Sequence, residues 1–145
     1  MALSYFERRY SRYGILLSDL CCFVKFEGQP VATATAWFTD PERMWQPALH
    51  WVAACPEFQG RGIGKAVTVS ALRRLGMYVR RGNIYLHTQT WSHKAVCMYL
   101  DLGFRLQKTD TYGGHKNNYG EAIETLKEKM PPEYYRRLIS TAELR

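Results

Sequence analysis

The sequence lacks the features that mark several special classes of protein. None of its apolar runs approaches the roughly 18–20 residues needed to span a bilayer. The N-terminal segment, residues 1–14, is charged and aromatic and has no apolar signal-peptide core. Internal repeats and low-complexity tracts are also absent. We therefore predict a cytoplasmic protein with no membrane partner, folded as one domain over residues 1–145.

The four cysteines lack the spacing of a metal site or a redox motif. Cys21, Cys22, Cys55 and Cys97 form no C-x-x-C pair, and no histidine stands at ligand spacing from them. Cys21 and Cys22 are adjacent in a predicted strand, so their side chains should point to opposite faces. We predict buried, reduced thiols and no bound metal.

The charge of the chain is not concentrated in any block of five like residues, although the net charge is +7. A positive balance could serve nucleic acid, an anionic membrane surface or an anionic cofactor. No nucleic-acid-binding module has its signature here, so a nucleic-acid-binding domain rests on charge alone and is the least favoured alternative.

The pattern of apolar and turn residues predicts a mixed sheet with helices packed on it. Strands are predicted on both sides of a Gly28–Gln29–Pro30 turn within 21–38, and at 48–55, 83–89 and 104–107. Helices are predicted at 4–13, 62–79, 92–102 and 119–130, with a restart after Pro131–Pro132. Segments 39–47 and 108–118 are predicted loops.

The stretch EFQGRGIGKA, residues 57–66, raises the question of a phosphate-binding loop. Main-chain N–H groups that have no helical partner at the start of a helix attract anions, and glycines allow an anion to approach the backbone closely. A Walker A loop is excluded because only three residues separate Gly60 from Gly64, and Ala66 follows Lys65. A dinucleotide fingerprint is excluded because its last glycine would fall on Lys65.

What remains, Gln59-Gly60-Arg61-Gly62-Ile63-Gly64, fits Q/R-x-x-G-x-G/A and resembles the acyl-CoA-binding turn of the GNAT superfamily of N-acetyltransferases. A second match follows in Ala95, Tyr99 and Gly103-Phe104, which resembles the family's A-x-x-x-Y-x-x-x-G-F helix. The resemblance covers roughly residues 21–107. A turn that only reverses the chain is the structural alternative.

The resemblance implies an α+β fold with a mixed, mostly antiparallel central sheet and helices on its faces. It also implies acetyl-CoA as cofactor and direct acetyl transfer to a small-molecule or peptide amine. A non-catalytic acyl-CoA-binding or sensory module of the same fold is the alternative. About 20 residues precede Cys21, which is fewer than the family's usual first strand and helices require. A homodimer in which the partner subunit completes the acceptor side is therefore a hypothesis.

The resemblance also implies roles for individual residues. Tyr99 would lie near the thioester sulfur and protonate the departing thiolate, for which a phenol pKa near 10 is suitable; core packing is its alternative. His50 or His87 could take the proton of the amine, unless water does. Ser92 occupies a position that is often asparagine in the family, and it could cap the helix. The predicted cofactor-binding residues are Ala53, Ala54, Cys55, Gln59, Gly60, Arg61, Gly62, Ile63, Gly64, Lys65 and Ser92.

Overall fold

The computed structural model describes residues 4, 7–8, 10–79, 82–109 and 116–142 of the chain. An N-terminal unit, Met1–Leu86, holds the sheet, and a C-terminal unit, His87–Arg145, holds three α-helices in its described part. Part of the helix predicted over 4–13 and most of the loop predicted over 108–118 lie outside the described residues.

The sheet of the N-terminal unit has four strands that lie side by side in chain order. The first and second strands and the second and third pair antiparallel, and the third and fourth pair parallel. The mixed, mostly antiparallel sheet of the predicted α+β fold is thus confirmed. The strands are β1, Cys21–Phe26; β2, Gln29–Asp40; β3, Trp45–Ala54; and β4, Tyr85–Leu86.

The two hairpins are tighter than the sequence predicts. Pro30 lies within β2, opposite Lys25, so the first turn consists of Glu27 and Gly28. The loop predicted over 39–47 is wrong at both of its ends, because Asp40 pairs with Trp45 and the strands continue up to a short turn. Pairing with a neighbouring strand therefore outweighs the turn-forming residues in that segment.

The two strands predicted at 83–89 and 104–107 are shorter than expected or absent. The segment 83–89 contributes only the two residues of β4. The strand predicted at 104–107 is wrong: within the described residues, Gln107 makes only an isolated bridge. The Phe104 N–H instead donates to the Tyr99 carbonyl at 3.0 Å, which extends the preceding helix end into this segment.

Two helices of the N-terminal unit cover part of the sheet: α1, Gly14–Leu20, and α2, Ile63–Tyr78. Apolar residues recur at every fourth position from Ile63 to Val79, which predicts a stripe that faces the core. This is confirmed at Val67, Ala71 and Leu75, which are all buried. Two groups on α2 also hold the end of α1. Arg74 Nη1 donates to Asp19 Oδ1 at 2.7 Å and Tyr78 OH donates to Asp19 Oδ2 at 2.5 Å.

The described part of the C-terminal unit contains three α-helices: α3, His93–Asp101; α4, Tyr119–Lys129; and α5, Pro132–Ser140. The break between α4 and α5 falls at Met130–Pro131, next to the predicted one, because proline begins a new helix and cannot continue the old one. Their apolar faces form one buried cluster. Its members are Val96, Leu100, Leu126, Met130 and Leu138.

The four cysteines are free thiols, as predicted, but only Cys22 is buried and the other three are half-buried. Burial raises the pKa of the Cys22 thiol above its usual value. Among the described residues, no helix combines the length and the apolar character that crossing a membrane would require.

A buried hydroxyl on α2 gives a test of this packing. Thr68 is fully buried and its Oγ1 has no hydrogen-bond partner among the described residues. An unpaired buried polar group costs about 1–3 kcal/mol. We therefore expect Thr68→Val to raise the free energy of unfolding by about 1 kcal/mol in urea titrations. Thr35→Val is the matched control, because the buried Thr35 Oγ1 is hydrogen-bonded to Cys21 Sγ at 3.1 Å. Equal gains in both variants would contradict the explanation.

Candidate active site

The turn between β3 and α2 has a backbone that requires glycine at two positions. Gly60 has φ +74° and Gly62 has φ +78°, in the left-handed region that other residues enter only at a cost. A Cβ placed on either glycine would meet no atom of the described structure within 4 Å. The conformation of the turn, and not crowding by the protein, therefore explains these glycines.

The same turn places main-chain amides at the start of a helix. Gly62 is the N-cap residue of α2, and the first helical bond runs from Ala66 N to Gly62 O at 3.0 Å. The N–H groups of Ile63 and Gly64 precede that bond and have no acceptor inside the helix. They stand at the positive end of the helix dipole, next to the exposed cation Arg61. This arrangement is suited to a phosphate group.

Gln59 fixes the turn to the end of β3. Its Nε2 donates to the Ala54 carbonyl at 3.0 Å, and its own N–H donates to the Pro56 carbonyl at 3.1 Å. The motif predicts a cofactor contact for Gln59, and in this structure the side chain donates to a strand carbonyl; the cofactor contact stays a prediction. Arg61, the next charged residue, lies with its guanidinium 5.5 Å from the centre of the Phe58 ring.

β3 has a strand on both sides over only part of its length. β2 pairs with it from Trp45 to Ala54, whereas β4 pairs only with Ala48 and Leu49. Past Leu49, no described strand pairs with β3 on the β4 side. Within the described part of the chain, β3 therefore has no second strand partner as it approaches the glycine turn, and such an open edge can bind another extended backbone.

A bulge lies at the start of this open edge. Thr35 faces His50 and Thr33 faces Ala53, so β3 contains one residue more than β2 between these pairs. Trp51, within the bulge, has φ +50°. A bulge of this type bends the strand and redirects its side chains. Trp51 Nε1 donates to Tyr10 OH at 3.1 Å, a contact that spans 41 residues and has no short-range sequence signal.

The amides at the end of β3 are divided between the two edges. The Cys55 N–H donates to the Val31 carbonyl at 2.9 Å, on the β2 side. Since neighbouring residues of a strand direct their amides to opposite edges, the Ala54 N–H faces the open edge. Ala54 therefore has the amide best placed for a bound ligand, and the Cys55 amide is used within the sheet.

A shallow cavity of about 130 Å³ adjoins the end of β3. It is smaller than the roughly 300–1,000 Å³ of a pocket that encloses a whole small molecule, so it suits only part of an extended one. The cavity is lined by Phe23, Pro30, Val31, Ala32, Thr33, Ala53, Ala54 and Cys55.

The two candidate bases occupy different surroundings. His50 is half-buried on β3, opposite Thr35 and next to the bulge. His87 was predicted on a strand, but β4 ends at Leu86 and His87 is exposed beyond it. His50 is thus the candidate that the structure places near the open edge of β3.

Tyr99 lies on α3, in the C-terminal unit, and its side chain is 8% exposed. Burial raises its pKa above the ordinary value of 10.0. Its ring packs edge-on against Phe104, with 5.9 Å between the ring centres. A phenol in this position remains protonated through the neutral range and is therefore available as a proton donor to a group within hydrogen-bond reach.

Ser92 precedes α3 at the N-cap position, as predicted, but its hydroxyl makes no capping hydrogen bond. Its N–H donates to the Gln89 carbonyl at 3.0 Å and ends a short 3₁₀ helix, Thr90–Ser92. The capping role of the hydroxyl is therefore wrong, and a contact of Ser92 with the cofactor stays a prediction.

The match to a known protein family covers both motifs of the sequence, the glycine turn at 59–64 and the helix end at 95–104. Residues 3–104 match the model of the Acetyltransferase (GNAT) family. The chain belongs to the GNAT acetyltransferase family. This confirms the membership predicted from the two motifs. Helices α4 and α5 lie beyond the matched residues.

Two individual proteins are similar to this GNAT chain over shorter stretches. N-alpha-acetyltransferase RimI of Mycobacterium tuberculosis (strain ATCC 25618 / H37Rv) is 35% identical over 57 residues, which are 39% of this chain and 34% of RimI. A solved structure from Agrobacterium tumefaciens str. C58, classed as an acetyltransferase, has a TM-score of 0.50 at 24% identity over 63% of this chain and 65% of the other. This chain therefore spans about a third of RimI and less than two thirds of that solved chain. The solved structure supports the GNAT fold.

Proposed function

We propose that this GNAT protein is an acetyl-CoA-dependent N-acetyltransferase that transfers the acetyl group directly to an amine. The observation that carries the proposal is the placement of the glycine turn beside the open edge of β3, joined by the bond from Gln59 to Ala54. A diphosphate and an amide-containing arm, the two parts of coenzyme A, match these two features.

Residues of each unit have a role in this proposal. The amides of Ile63 and Gly64 and the side chains of Arg61 and Lys65 bind the diphosphate, and the Ala54 N–H binds the pantetheine arm. Acetyl-CoA supplies an acetyl group activated as a thioester. Tyr99 donates its phenolic proton to the departing thiolate.

The amine must be uncharged before it attacks, because a primary ammonium has a pKa near 10. We propose His50 as the group that accepts this proton, with His87 or water as alternatives. The relative's name guides the choice of amines to test. Since RimI is an N-alpha-acetyltransferase, the acceptor panel should contain peptides with a free α-amine beside small amines. The homodimer predicted from the sequence stays a prediction.

A thermal titration with acetyl-CoA tests cofactor binding. At a ligand concentration of 100 times Kd, binding stabilises the folded state by about 2.7 kcal/mol, which corresponds to a rise in Tm of about 5–10 °C for a chain of this size. Acetyl-pantetheine, which lacks the diphosphate, should give a clearly smaller rise. An unchanged Tm with acetyl-CoA would contradict the proposed function.

Release of free CoA thiol across the amine panel then distinguishes the enzyme from its alternative. Turnover with one or more amines supports the transferase. Binding of acetyl-CoA without acetylation of any amine would favour a non-catalytic acyl-CoA-binding module.

A further inference from the structure

The last turn of α3 determines where the Tyr99 phenol points. The Tyr99 carbonyl accepts hydrogen bonds from Leu102 N at 3.1 Å and from Phe104 N at 3.0 Å. The Tyr99 ring packs against Phe104, which follows this turn. The backbone and the ring of Tyr99 are therefore both fixed by the geometry of the helix end, so a shift of that end moves the hydroxyl.

Helix α5 contacts this helix end through Tyr134 and Arg137, which both bond with Asp101 of α3. We call these three residues the α5 clamp. Arg137 Nη1 donates to Asp101 Oδ1 at 3.0 Å, and Tyr134 OH donates to Asp101 Oδ2 at 3.1 Å. Arg137 Nη2 also donates to the Leu100 carbonyl at 2.5 Å. One guanidinium thus holds both a side chain and a main-chain carbonyl at the negative end of the α3 dipole.

The exposure of the clamp indicates a geometric role more than a stabilising one. The side chains of Arg137 and Asp101 are 46% and 31% exposed. Ion pairs that are exposed to this degree contribute about 0–1 kcal/mol because solvent screens them. A planar guanidinium that bonds two groups at once still restricts their relative position.

Apolar packing within the same unit also holds α3, and Tyr134 of the clamp packs against this apolar cluster. Val96 and Leu100 belong to the buried cluster that α4 and α5 complete with Leu126, Met130 and Leu138. The end of α3 is therefore held by packing on one face and by the α5 clamp at its terminus. Both sets of contacts come from helices beyond the residues that match the family model.

We infer that Asp101, Tyr134 and Arg137 are positioning residues for Tyr99, and that this chain uses its C-terminal helices to fix the proposed general acid. The inference rests on the proposed function. A general acid must lie within hydrogen-bond reach of the atom that it protonates. A displacement of about 1 Å can cost about 100-fold in rate.

A double-mutant cycle with Tyr99 tests this inference, using the amine from the panel that is acetylated fastest. We expect Asp101→Asn to lower kcat by about 10- to 100-fold when Tyr99 is present, and by less than about twofold when Tyr99→Phe is already present. The KM for acetyl-CoA should change by less than about twofold in both backgrounds. A residue with only a structural role would lower kcat by the same factor with or without Tyr99.

Asp19→Asn is the matched control. Asp19 accepts hydrogen bonds from an arginine and a tyrosine in the N-terminal unit, as Asp101 does in the C-terminal unit. Any effect of Asp19→Asn on kcat should be the same in both Tyr99 backgrounds. Arg137→Lys keeps the charge but not the planar fork, so we expect it to recover only part of the wild-type kcat.

The outcomes separate this inference from the proposed function. If Asp101→Asn does not fold, Tyr134→Phe replaces it in the cycle, with an expected fall in kcat of about 3- to 10-fold. Equal falls in both backgrounds, or no fall at all, would overturn the inference and leave the transferase intact. A wild-type protein that binds no acetyl-CoA would overturn both.

Discussion

Replacing Tyr99 by phenylalanine is expected to lower turnover by about 100- to 1,000-fold, within the range that general acid catalysis contributes. The Kd for acetyl-CoA should remain within about twofold of wild type, because the variant keeps the ring and its edge-on contact with Phe104. Steady-state kinetics and a binding titration on the same preparation measure the two quantities. A fall in kcat at constant Kd is the signature of an interaction made in the transition state.

The pH dependence of kcat in the wild-type protein gives a second test of the role proposed for Tyr99. A general acid is active while protonated, and burial raises the pKa of Tyr99 above 10.0. Titration of Tyr99 should therefore cause no loss of kcat between about pH 7 and pH 9. If a loss of kcat in that range disappears in Tyr99→Phe, the raised pKa is wrong.

Tyr135→Phe is the matched control for the loss of a phenolic hydroxyl. Tyr135 lies on α5 and packs against the apolar cluster of the C-terminal unit. Its replacement should leave kcat within about twofold of wild type. Unchanged turnover in Tyr99→Phe would assign Tyr99 to core packing, and the thiolate would then leave without this acid.

The parts of the fold that the sequence predicts are those governed by local rules. Gly60 and Gly62 occupy left-handed positions, and the apolar stripe of α2 is buried as its spacing indicates. Gly103 follows α3 with φ +89°, as the capping preference of glycine predicts. These features depend on backbone conformation or on period 3.6, and both can be recognised in a single chain.

The features that the sequence did not predict depend on which partner a residue meets in the folded protein. The strand ends in 39–47 form because β2 and β3 pair across a turn of only a few residues. Gln59 was assigned to the cofactor by motif, yet its amide bonds with Ala54. The α5 clamp joins residues 33 and 36 positions apart, a separation at which no sequence spacing rule applies.

The second large effect is expected at Gly62, where Gly62→Ala should weaken acetyl-CoA binding by about 10- to 100-fold. Alanine at φ +78° costs about 1–2 kcal/mol, so the turn relaxes and the amides at the start of α2 no longer converge. Each hydrogen bond to a charged group contributes about 1.5–3 kcal/mol, and 1.4 kcal/mol corresponds to a factor of 10 in Kd. Calorimetric titration with acetyl-CoA measures the change.

Two further glycine variants separate the conformation of the turn from general strain. Gly28 has φ +80° in the first hairpin, and a Cβ there also meets no atom within 4 Å. Gly28→Ala should therefore lower the stability by a similar amount and leave the Kd unchanged. If the backbone conformation determines the affinity, Gly62→Asn should bind acetyl-CoA better than Gly62→Ala, because asparagine tolerates the left-handed region. If the diphosphate instead occupies the space that a side chain at this position would fill, Gly62→Asn should bind acetyl-CoA worse than Gly62→Ala. Equal losses of affinity in Gly28→Ala and Gly62→Ala would mean that the turn binds no phosphate.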